Sequence, residues 1–401
     1  MIDLEYWWLL IFPLFFGLGW IAARIDIGQI LSENRRLPQS YFKGLNFLVN
    51  EQPDKAIEAF VEIADVSQET FELHFALGKL FRRTGEVERA IRMHKSLVDR
   101  THLSSDQKLA ALYELGQDYY RAGLLDRTEE IFIKLIDSPY ALDAMRHLLD
   151  IFVREREWAK ANEMTIRLEK EGLDYRRERA HFICEQAQVA AARQDIQNAL
   201  ERLAEAIFVN PACVRANVIK GQLEAAAGRH DAAVEAWLKI EHQNPIYLSL
   251  VAKPMLESLL AAGLTEDAAA LFTGFLEKYH SLDLLDCAYH AVLSNSGARP
   301  AYDMLRDYIR VHPSLHGLDK LLEVQLLDMT PLRRGDTALI KSLVHRHTAR
   351  LSVFRCENCG FCAHIFHWQC PACMHWDTIL PRRIEEITDN QMEMIDETGP
   401  M

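Results

Sequence analysis

The pattern of apolar and polar positions divides the chain into unlike stretches. From Tyr6 to Ala23 it reads YWWLLIFPLFFGLGWIAA, eighteen residues without a charge. At 1.5 Å rise per residue this is roughly 27 Å of helix, enough to cross the apolar core of a bilayer. Trp7, Trp8 and Trp20 lie near its two ends, where indoles favour the interface, and Pro13 adds a kink that membrane helices tolerate. Beyond it, small and aromatic residues recur at helical spacing. Gly44, Phe47, Ala56 and Phe60 stand at offsets 0, 3, 12 and 16. The same offsets recur at Gly78, Phe81, Ala90 and His94, then at Gly116, Tyr119, Thr128 and Phe132. Leu149, Phe152, Ala161 and Thr165 follow, and later Gly221, Glu224, Ala233 and Trp237, with Pro245 closing that unit.

Steps of 33 to 38 residues between adjacent units match the tetratricopeptide pattern, in which a small residue lets two helices approach and aromatics fill the gap. Weaker copies lie at 180–211 (Ala199, Leu203, Pro211), 249–279 (Gly263, Ala268, Phe272) and 283–313 (Gly297, Tyr302, Pro313), making eight units. Turn signals such as RTGE (83–86), RAGL (121–124) and AGRH (227–230) separate helices within units. The predicted fold is therefore all-α: a tetratricopeptide-repeat superhelix over residues 41–350 with eight to nine helix pairs, preceded by one N-terminal transmembrane helix. Phe60, Phe132 and Trp237 are packing positions in this reading. The surfaces that take peptides or partner proteins belong elsewhere on the first helix of each pair.

Charge sets the orientation. No Lys or Arg precedes the apolar run, whereas Arg24, Arg35 and Arg36 follow it. The positive-inside bias places everything after residues 1–23 on the cytoplasmic side, and residues 24–40 form a short juxtamembrane linker. A cleaved signal is the alternative, but Asp3 and Glu5 occupy the start and no small-residue cleavage site precedes Arg24. The net charge of −13 argues against general nucleic-acid binding, which needs clustered cations. Local exceptions are Arg333, Arg334, Lys341, His345, Arg346, His347, Arg350 and Arg355, read either as a solvated helix face or as a site for acidic groups.

Five of the eight cysteines fall within residues 356–373. Cys356/Cys359 and Cys370/Cys373 form two Cys-x-x-Cys knuckles, the arrangement that wraps four sulfurs around one zinc or iron ion. A segment of this size cannot build an adequate core, so metal binding is also its folding energy. Cys362 makes an overlapping Cys-x-x-Cys with Cys359, but Gly360 falls just after the first knuckle, which favours Cys356 and leaves Cys362 a bystander. His364, His367 and His375 then find no vacancy, and four thiolates close the shell against catalytic use. Trp368 and Trp376 are expected to pack the module against the last repeats. Cys184, Cys213 and Cys287 read as small buried apolar residues.

The order of anchor, repeat array and rubredoxin-like knuckles resembles the lipopolysaccharide assembly protein B family of Gram-negative bacteria. The resemblance is carried by Gly44–Asn46, by FRRTGEVERAIR (81–92), and by CENCGF and HWQCPAC (356–361, 367–373). It implies a non-enzymatic inner-membrane adaptor, single-pass and facing the cytoplasm. That adaptor would bind the committed-step lipid A deacetylase and promote its degradation by a membrane AAA protease, alongside other lipopolysaccharide assembly proteins. Its module, residues 354–380, would hold iron or zinc. Cys362 and the acidic tail 381–401, expected to be disordered, depart from the family pattern. Two other functions stay open: an iron-binding redox sensor or electron carrier, and a scaffold for another envelope assembly machine. Whether the array forms a homodimer is also open.

Overall fold

A computed structural model describes residues 71–101, 103–328, 331–351 and 354–381, with isolated positions 43, 46, 47 and 55. The expected anchor, the linker, most of the first template unit and residues 382–401 lie outside the described residues. Among the described residues no helix is long and apolar enough to cross a membrane.

The described helices follow one another as pairs. They are α1 (Phe71–Arg83) with α2 (Val87–Val98) and α3 (Ser105–Arg121) with α4 (Leu125–Lys134), followed by α5 (Ala141–Arg154) and α6 (Trp158–Lys170). Next come α7 (Arg176–Ala192) with α8 (Ile196–Val209), and α9 (Val214–Ala226) with α10 (His230–Gln243). A 3-10 turn (Pro245–Tyr247) leads into α11 (Leu248–Ala261), which pairs with α12 (Thr265–Tyr279). The last pairs are α13 (Leu282–Ser296) with α14 (Ala298–Val311), and α15 (Leu315–Asp328) with α16 (Pro331–Leu351). The chain divides into two compact units between Ile151 and Phe152, within α5.

Local chemistry explains where these helices start and turn. Ser104 caps α3, accepting from the Gln107 N–H at 3.2 Å, while the Gln107 side chain accepts from the Ser104 N–H. At the other end Gly123 takes φ +75°, and the Leu124 N–H closes the turn on the Tyr119 carbonyl at 2.9 Å. The equivalent turn after α7 has Gln194 at φ 65°, so the repeat geometry holds even where the permissive residue is missing.

The template positions are buried as the spacing requires: Phe81, Ala90 and His94; Tyr119, Thr128 and Phe132; Phe152, Ala161 and Thr165; Glu224, Ala233 and Trp237. At Gly221 a methyl group would overlap the Trp237 indole, and at Gly78 one would overlap the His94 ring. Glycine at offset 0 and a ring at offset 16 are thus two halves of one contact. Trp237 also donates from Nε1 to the Val218 carbonyl at 3.2 Å. In the first unit His94 bonds Asp118 at 2.5 Å, and Arg82 reaches Asp118 at 2.8 Å and Glu114, tying the first two pairs together with buried charge.

The basic approach to the knuckles is partly neutralised by the array. Lys341 on α16 meets Glu323 at 3.1 Å and His345 meets Asp319 at 3.0 Å, both on α15. Arg334, Arg346 and His347 are exposed.

Candidate metal centre

Two short strands and two tight turns build the module. β1 (Phe354–Arg355) pairs antiparallel with β2 (Cys362–Ala363), and an isolated bridge joins Cys356 to Ile379. In the first knuckle the Gly360 N–H donates to the Cys356 carbonyl at 2.9 Å, with Gly360 at φ +76°. In the second the Met374 N–H donates to the Cys370 carbonyl at 2.8 Å. Each turn aims its two sulfurs to one side.

The four sulfurs of Cys356, Cys359, Cys370 and Cys373 lie within 4.8 Å of one another. Cys356 Sγ is 3.8 Å from Cys373 Sγ, and Cys359 Sγ is 3.7 Å from Cys370 Sγ. A tetrahedral ion with metal–sulfur bonds of about 2.3 Å places its sulfurs about 3.8 Å apart, so the set fits a four-cysteine metal site. The thiols differ in their ionisation. An Asn358 hydrogen bond, with the His375 N–H, pulls Cys373 down to about 5. Cys359 moves the opposite way: the Phe361 N–H lowers it, but partial loss of water at its sulfur and the crowding of Cys356, Cys370 and Cys373 push it up to about 12. Were all four ionised, thiolates this close would need a cation among them. The donors suit zinc and iron alike.

Cys362 is exposed on β2, its sulfur 3.5 Å from the Gly360 carbonyl and outside the cluster. His364, His367 and His375 also stand outside it. His375 Nδ1 instead meets the Cys373 carbonyl at 2.8 Å.

The expectation that Trp368 and Trp376 dock the module on the last repeats is corrected. They pack on α6, α7 and α9 and on the turn before α11. Trp376 stacks on His181 of α7 at 4.6 Å between ring centroids and meets Phe182 and Trp158 edge-on at 6.0 and 6.3 Å. Trp368 stacks on Tyr247 at 5.4 Å. Between the two indoles lies Arg215 of α9, 4 % exposed, its guanidinium 6.0 Å from one ring and 5.6 Å from the other. One terminal nitrogen bonds Glu185 and Gln188, while Nε and Nη1 have no hydrogen-bond partner. The indole faces therefore compensate that buried charge. Asp377, in the left-handed region at φ 53°, accepts from Arg177 at 3.0 Å and bonds His181 at 2.8 Å. Burial raises the Asp377 carboxyl, but His181 and Arg177 outweigh it and hold the group below its ordinary value. Ser249 of α11 completes the contact by donating to the Pro381 carbonyl at 3.0 Å.

The reason for the difference is chemical. The two indoles find aromatic and cationic partners on α6, α7, α9 and the turn before α11. A 21-residue α16, about 30 Å long, separates the module from the preceding helix, so adjacency in sequence does not impose adjacency in space. His181, Arg215, Tyr247 and Asp377 carry no signal in the sequence, because each is a single residue outside any repeating spacing.

Comparison with known proteins agrees with this construction. A tetratricopeptide repeat model matches residues 43–93 and 184–245, and a rubredoxin metal binding domain model matches 354–381. Lipopolysaccharide assembly protein B of Escherichia coli (strain K12) is 31% identical over 378 residues, covering 93% of this chain and 97% of that one. The chain belongs to the lipopolysaccharide assembly protein B family. Its Haemophilus influenzae member is 28% identical over 397 residues, covering 95% of this chain and 98% of its own. Among solved structures, Naa15/Naa10 bound to HypK-THB is similar with a TM-score of 0.47 and 12% identity, over 78% of this chain and 47% of that one.

Proposed function

We propose that this chain is a non-enzymatic adaptor in lipopolysaccharide assembly, held at the bacterial inner membrane with its array facing the cytoplasm. The observation that carries this reading is the 31% identity across 93% of the chain to a protein named for lipopolysaccharide assembly. In this reading residues 6–23 are the anchor, the repeat pairs bind protein partners, and Cys356, Cys359, Cys370 and Cys373 hold one zinc or iron ion. Bound there, the ion cross-links the two knuckles and keeps Trp368, Trp376 and Asp377 in position to dock. The partners proposed are the committed-step lipid A deacetylase and a membrane AAA protease, with the adaptor presenting the first to the second. Depleting the protein should raise the abundance and half-life of the deacetylase. Unchanged values on depletion would overturn that partnership. Co-purification from native membranes then tells this client from that of another envelope machine.

A second reading, an iron-based redox sensor or electron carrier, is favoured by one observation: Cys359 is exposed, which brings the centre to the surface. Visible absorption separates the two, since ferric iron in four thiolates is red and zinc is colourless.

A further inference from the structure

Three cysteines lie outside the module, and all three are buried free thiols. Cys287 stands alone, its thiol pushed up to about 12 by burial. Cys184 and Cys213 do not. Their sulfurs are 3.9 Å apart, in contact, although one residue lies within α7 and the other is the N-cap of α9. Both belong to the core formed where α7, α8 and α9 meet.

The two thiols are unlike. A hydrogen bond from Cys184 lowers Cys213 to about 7 against the opposing effect of burial, aided by His181 and the Ala216 N–H at the start of α9. Cys184 is raised well above its ordinary value, first by the bond to Cys213 and then by burial. Of the two buried sulfurs Cys213 is the readier to lose its proton and Cys184 holds its own, the division of roles found in reactive dithiols. The pair also sits among the docking residues. His181 is one turn before Cys184 on the same helix, and Arg215 is two residues after Cys213.

We propose that Cys184 and Cys213 form a peroxide-oxidisable dithiol, a modification site in the helices on which the metal module docks. The Cys213 thiolate attacks one oxygen of hydrogen peroxide. The O–O bond breaks, an S–O bond forms, and hydroxide leaves and takes up a proton to give water. The Cys184 sulfur, releasing its proton, then attacks the resulting sulfenic sulfur. The S–S bond forms, the S–O bond breaks, and a second water departs. Two thiols and one peroxide become one disulfide and two waters, with the two electrons lost by sulfur taken up by peroxide. Closing the bond pulls α7 toward the start of α9, moving His181 and Arg215 relative to each other.

The test uses full-length, metal-loaded protein carrying Cys362→Ser, which removes the exposed competing thiol. It is treated with substoichiometric hydrogen peroxide, alkylated in denaturant and mapped by peptide mass. The expected result is a peptide linking Cys184 to Cys213, two hydrogens lighter than the reduced pair, lost on thiol reduction, with metal content unchanged. Recovery of both residues as alkylated free thiols would overturn the proposal, as would linkage that appears only together with metal release. Cys184→Ser should convert the product to a Cys213 sulfenic acid, captured by a dimedone probe. If that variant does not fold, the mapping of the Cys362→Ser protein decides alone.

Discussion

Four of the five clustered thiols converge and the fifth points away, and the cause is a single turn. Gly360 at φ +76° lets the chain reverse directly after Cys359, which carries Cys362 onto β2 and out of the cluster. Cys370→Ser should therefore release the metal and unfold residues 354–381, whereas Cys362→Ser should keep one metal per chain. Metal analysis with circular dichroism of both variants checks this, and equal loss from the two would refute the ligand set. Asp377 makes a separate prediction. Its carboxyl is lowered from 3.8 on folding, so its contribution is complete above that value and is lost as pH falls below it. Acid should loosen the docked module below about pH 4, seen as a change in tryptophan emission. Asp377→Asn should be weakened already at neutral pH and lack that acid-dependent component.

At the scale of elements, a helix pair is held by a residue missing from one helix and a ring supplied by the other. Gly221→Ala forces a methyl group against the Trp237 indole and should cost about 1–3 kcal/mol in chemical denaturation. Adding Trp237→Leu should recover part of that loss by making room; no recovery would mean that the glycine serves some purpose other than close approach. This complementarity was readable from spacing because both partners lie within one unit, sixteen residues apart. The docking of the module was not. It depends on Arg215 between two indoles and on His181 beneath one of them, partners chosen by shape and charge rather than by period. Much of the module's contact falls on first helices, at His181 of α7, Arg215 of α9 and Ser249 of α11, the kind of surface such arrays offer to peptides.

For the whole molecule, the proposed role rests on anchoring an array where membrane partners are concentrated in two dimensions. Deleting residues 1–23 should yield a soluble protein with an unchanged helical spectrum and a full metal complement that fails to lower deacetylase abundance in cells. Full activity of that truncation would remove membrane proximity from the proposal. Metal content measured on that truncation should equal that of the full chain.

Features encoded by local spacing were determined by the sequence alone. The helix-pair repeat follows from offsets of 3, 12 and 16 residues, and the knuckles follow from two Cys-x-x-Cys turns, because in both the interacting groups are close along the chain. Tertiary structure alone decided which repeats receive the module and that Cys184 touches Cys213. The pair of Arg177 and Asp377 spans 200 residues, and Ser249 and Pro381 span 132. At such separations no period links the partners, and only the folded path of the helices brings their side chains within reach.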